Sequence, residues 1–76
     1  MAAMNEEDIA LKQKLVARIK EVREAAGFTQ SQLAELLEID RQTIFKWEND
    51  GVTIYSIARV CQVLNITLSD FFKGIQ

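Results

Sequence analysis

The stretch DRQTIFKWE, Asp40 to Glu48, sets Arg41, Gln42 and Lys46 beside Ile44 and Trp47. At about 100° per residue, Thr43, Ile44 and Trp47 fall on one side of a helix, and Arg41, Gln42, Phe45, Lys46 and Asn49 on the other. The second side is rich in hydrogen-bond donors. Arg and Lys can donate to the N7 and O6 acceptors of guanine, and Gln can pair with N6 and N7 of adenine. An apolar group such as Phe45 can touch a thymine methyl, or fill a surface gap by leaning across Arg41. The first side wants a core, so the segment predicts a helix whose indole points inward while a polar edge stays in solvent.

Positioning that edge needs a folded domain, and 76 residues leave volume for one hydrophobic core, hence one domain over 1–76. Apolar residues make up 49%, charged residues 26%, and Pro is absent, a balance that predicts a globular, helical chain rather than a disordered one. There is no His, and Cys61 has no cysteine partner. The usual zinc ligand sets and any intramolecular disulfide are therefore excluded, and neither a metal nor a cofactor is expected. Without His, a second Cys or a Gly-rich phosphate loop, nothing would activate a nucleophile, so an enzyme is not expected. No apolar run nears the roughly 18 residues of a membrane span, and the acidic start MAAMNEED is unlike a signal peptide. The expectation is a cytoplasmic protein with no membrane contact. The net charge of -2 argues against an anionic partner, yet residues 12–24 carry Lys12, Lys14, Arg18, Lys20 and Arg23 against only Glu21 and Glu24, a local +3.

Capping signals divide the chain into five helices. Asn5 followed by Glu6, Glu7 and Asp8 opens a long first helix over 6–26, with 1–5 expected to be flexible. Leu15, Ile19, Val22 and Ala26 form its inward stripe, and Gly27 offers a left-handed stop. Thr29 and Gln32 make a capping box for a second helix to Leu37, with Leu33, Ala34 and Leu37 inward. After the short link Glu38-Ile39, Asp40 caps the third helix, Arg41 to about Asn49. Thr53 caps a fourth helix to Leu64, with Ile54, Ile57, Ala58, Cys61 and Leu64 inward, and Asn65 can end it. Thr67 opens a short fifth helix anchored by Leu68, Phe71 and Phe72.

Two helices joined by three or four residues are the ingredients of a helix-turn-helix. The segment GFTQSQLAELLEIDRQTIFKWEND closely resembles the signature of the phage repressor and Cro type, the Xre family of bacterial regulators. Thr-Gln opens the second helix, Leu-Ala lies inside it, a polar cap follows, and Ile and Trp-Glu sit on the third. The likeness runs from Arg23 to about Phe72. It implies an all-α, compact five-helix repressor-like bundle that binds double-stranded DNA sequence-specifically, as a homodimer on a palindromic operator. Base reading would fall on Arg41, Gln42 and Lys46. Gln30 and Asn49 match family positions that contact the DNA backbone or brace the reading helix, and Arg23 and Glu48 match its structural salt bridge. Thr43 and Phe45 on the third helix are further supporting candidates, Phe45 standing where the family tends to carry a small or polar residue, and Arg18 and Lys20 are phosphate candidates by their charge on the first helix. Two departures stand out: Glu38 occupies a turn position often held by Gly, and Val52 one often held by Pro. Glu38 must then turn the chain without glycine's freedom.

Phe71, Phe72 and Ile75, with Val60 and Val63 on the flank of the fourth helix, are candidates for a symmetric dimer patch, Val63, Phe72 and Ile75 foremost, while core packing competes for Phe71 and for one of the two valines. The alternative reading keeps the fold but makes it a protein-interaction module, an antitoxin-like partner-binding protein. Net acidity, Phe45 and an acidic face of Glu35, Glu38, Asp40 and Asp50 motivate it.

Overall fold

The computed structural model describes residues 5–75, which form α1 (Glu6–Ala25), α2 (Gln30–Leu37), α3 (Arg41–Asn49), α4 (Ile54–Leu64) and α5 (Leu68–Lys73). Of the stretch expected to be flexible, residues 1–4 lie outside the described residues. Asn5 is the cap of α1: its side chain accepts from the Asp8 backbone N–H while Asp8 reaches back to the Asn5 N–H. Thr29 with Gln32 and Thr67 with Asp70 repeat this capping box on α2 and α5. The hydrogen bonds at Thr67 also hold the Asp70 carboxyl below its ordinary range.

Three helices stop in the same way. A left-handed residue follows within two positions of each helix end: Gly27 (φ 84°) after Ala26, Glu38 (φ 57°) directly after α2 and Asn65 (φ 59°) directly after α4. The next N–H then reaches back to a carbonyl one turn up, from Phe28 to Arg23, Ile39 to Ala34 and Ile66 to Cys61, at 3.2, 3.0 and 3.0 Å. This is the Schellman arrangement, and in each case the apolar residue that follows packs against the core. Stop signal and core packing are therefore one device. It works at Glu38 despite the missing glycine.

Ile19, Leu33, Ile44, Ile57, Val60 and Phe71 are fully buried, with Val22, Ala34, Leu37 and Cys61 around them. Each helix contributes at least one of these side chains, so the core holds all five together. Burial pushes the Cys61 thiol up from its ordinary pKa, as expected of a core cysteine.

The core differs from the expected stripes in four places. Ala26 is exposed because it lies past the last turn of α1. On α4, Ile54 and Ala58 are exposed and Val60 is buried in their place. Helical side chains lean toward the N-terminus, so Ile54, first in its helix, projects beyond the packed layer. On α5 only Phe71 is an anchor. Leu68 and Phe72 remain exposed, since a helix of six residues has one narrow inward line. Trp47 is half-buried at the margin of the core rather than enclosed.

Three arginines stitch the helices across the core. Arg18 on α1 donates from Nε to the Phe71 carbonyl (2.7 Å) and from Nη2 to the Asp70 carbonyl (2.9 Å), and it pairs with Glu21. Those carbonyls belong to the last turn of α5, where carbonyls lack intrahelical partners and the helix dipole is negative. Arg59 on α4 does the same for α2, donating to the Leu37 carbonyl at 2.8 Å. Arg23 donates from Nη1 to the Phe28 carbonyl at 2.7 Å, closing the turn after α1.

Candidate nucleic-acid interface

α2 and α3 pack closely, joined by Glu38, Ile39 and Asp40. Asp40 begins α3 by accepting from the Gln42 backbone N–H at 2.8 Å. From there the helix has two unlike edges. Ile44 is fully buried and Glu48 is buried beside it, whereas Arg41, Gln42, Phe45, Lys46 and Asn49 are exposed. Thr43 is half-buried between the two. Arg41, Gln42, Phe45, Lys46 and Asp50 line an open depression.

A polar chain leads from the core to this surface. Arg23 donates from Nε and Nη2 to the two carboxylate oxygens of Glu48, at 2.7 and 3.1 Å. The pair is buried, and the charged hydrogen bond to Glu48 raises the Arg23 pKa still further, keeping the guanidinium cationic. Glu48 Oε1 also accepts from Gln30 Nε2 at 3.2 Å, and Gln30 Oε1 lies 3.5 Å from Arg41 Nη1. Among the described residues no buried side-chain N or O atom lacks a partner. The buried charges are thus compensated, as folding requires.

The remaining candidate residues divide. Asn49 gives its amide to the Phe45 carbonyl at 2.8 Å and shares a groove with Ile9, Lys12, Gln13 and Val16 of α1. That groove brings Lys12 to the C-terminal end of α3. Lys20 is exposed on α1. Arg18 is not brought to the α3 edge, because its guanidinium is bound to α5. Val63 and Ile75 are half-buried against the core, and Phe72 is exposed with its ring edge-on to Phe71 at 5.2 Å.

Two contributors were not singled out from the sequence. Asp50, read there as a turn residue and part of an acidic face, lines the depression. Arg59, the tie between α4 and α2, left no signal, because a lone Arg on a helix resembles any solvated cation. Among the described residues no group of His, Cys, Asp and Glu could hold a metal ion, and no helix is long and apolar enough to cross a membrane.

A helix-turn-helix family profile matches residues 19–71. The crystal structure of a point mutant of the restriction-modification controller protein C.Esp1396I is similar with a TM-score of 0.74 at 30% identity, covering 84% of this chain and 88% of that one. No curated protein matches. The matched residues span the buried Arg23–Glu48 pair, the α2–α3 turn and the exposed edge of α3, and the chain belongs to the Xre-like helix-turn-helix family of DNA-binding transcriptional regulators.

Proposed function

We propose that the protein binds a palindromic double-stranded DNA operator in the cytoplasm as a homodimer, with α3 in the major groove. Arg41, Gln42 and Lys46 read bases, and Gln30, Thr43, Asn49, Lys12 and Lys20 hold the phosphate backbone or the helix beside it. The observation that carries this reading is the division of α3. Ile44 and Glu48 lock one edge into the protein, and the Arg41-Gln42-Lys46 edge stays open to a ligand. N–H groups at the start of α2 add a backbone anion site of the kind helix N-termini provide. Pairing follows from size: one nine-residue recognition helix touches few base pairs, and two copies about one DNA turn apart double the contacts. Exposed Leu68 and Phe72 on α5, with Ile54 and Tyr55 on α4, offer apolar surface for that pairing.

Selection of bound sites from a random duplex library tests the reading. A recovered palindrome, bound more weakly as salt rises, is the expected result. Recovery of no preferred sequence at low salt would contradict it.

A further inference from the structure

Phe45 is the apolar member of the exposed edge of α3. The residue is 53% exposed, and it belongs neither to the core nor to the residues packed against it. Among the described residues the ring contacts are Phe71 with Phe72 and Arg18 over Phe71, so Phe45 has no aromatic or guanidinium cover. It lines the depression with Arg41, Gln42, Lys46 and Asp50, and Arg41 lies one helical turn before it on the same face. Every polar group there has a hydrogen-bonding match on a base edge. The ring has one apolar match in the major groove, the 5-methyl group of a pyrimidine.

We infer that Phe45 is a specificity residue that packs on the 5-methyl group of a thymine or 5-methylcytosine close to the guanine held by Arg41. The inference rests on the proposed placement of α3 in the major groove. Four residues of helix advance about 6 Å, and neighbouring bases on a strand are about 3.4 Å apart, so the two contacts fall within about two base pairs. Burying one methyl against the ring corresponds to a several-fold change in affinity. Uracil lacks the methyl but pairs as thymine does, and cytosine lacks it but pairs as 5-methylcytosine does, so the contact would distinguish bases that hydrogen bonds alone do not.

The test uses the full chain and a duplex recovered by selection. Each thymine in one half-site is replaced in turn by uracil, then by a 5-methylcytosine·guanine pair, and finally by cytosine·guanine. One uracil position is expected to weaken wild-type binding about three- to fivefold. 5-Methylcytosine at that position should bind better than cytosine by a similar factor. Phe45→Ala should bind the thymine site as weakly as wild type binds the uracil site and ignore the methyl group. Circular dichroism would check that the variant is folded, and Phe45→Leu should recover part of the response. If uracil is tolerated at every thymine while the duplex is still bound, or if Phe45→Ala keeps the full methyl response, the inference is overturned and the placement of α3 survives. If no duplex is bound specifically, both fall.

Discussion

Gln30 Nε2 donates to Glu48 Oε1 at 3.2 Å, so the orientation of the Gln30 amide is set by a carboxylate already engaged with Arg23. A carboxylate only accepts. The amide therefore turns its NH2 toward Glu48 and its oxygen toward Arg41, 3.5 Å away. That last contact is long and contributes little stability, but it limits where the Arg41 guanidinium can lie. Gln30→Met is expected to weaken binding to a selected duplex by about fivefold, roughly the worth of one hydrogen bond. Binding to random DNA should change less. Equal losses on the two duplexes would assign Gln30 to phosphate contact alone.

The Arg23–Glu48 pair should dominate the polar contribution to stability. Removing one partner leaves the other charge buried and unpaired, so Arg23→Ala or Glu48→Ala is expected to cost about 3–5 kcal/mol in urea unfolding. Replacing both, as Arg23→Met with Glu48→Leu, should recover most of the loss. A pair of single variants each costing under about 1 kcal/mol would show that the bridge is solvated.

Glu38 holds a left-handed conformation that costs a residue with a Cβ about 1–2 kcal/mol. Glu38→Gly is expected to stabilise the fold by about 1 kcal/mol, less than the full relief because glycine also loosens the unfolded chain. A thermal melt that falls instead of rising would mean that the Glu38 side chain itself contributes to the turn.

Much of the fold was legible because its signals are local. Asn5, Thr29, Asp40, Thr53 and Thr67 each mark a helix start, and the observed caps fall on these residues. Facing was harder to read. The stripe on α4 fits period 3.6 nearly as well with Ile54 and Ala58 inward as with Val60, and only the packing of α2 and α5 against α4 selects between them. The same limit applied to Arg18. Its charge on a basic helix suggested a phosphate contact, whereas its partners, the carbonyls of Asp70 and Phe71, lie more than fifty residues away in sequence. On α3 the contrast between Ile44 and the Arg41-Gln42-Lys46 edge was visible in the residue pattern, but the link through Gln30 arises only from the packing of α2 against α3.

Arg18 should consequently behave as a structural residue. Arg18→Met is expected to lower the melting temperature by several degrees, as loss of about 1–2 kcal/mol does in a domain of this size. The slope of log affinity against log salt should stay unchanged. Each lost phosphate contact would reduce that slope by about 0.9, so a shallower slope with an unchanged melt would restore Arg18 to the DNA contacts.

The most direct measurement replaces each guanine of a selected duplex in turn with 7-deazaguanine, which removes the N7 acceptor from the major groove and leaves base pairing intact. If the exposed edge of α3 reads bases, at least one such substitution should weaken wild-type binding by about tenfold. The same substitution should leave the already weakened Arg41→Ala or Lys46→Ala protein indifferent. Unchanged affinity at every guanine of a guanine-containing site, or equal sensitivity in wild type and both variants, would contradict recognition by this edge.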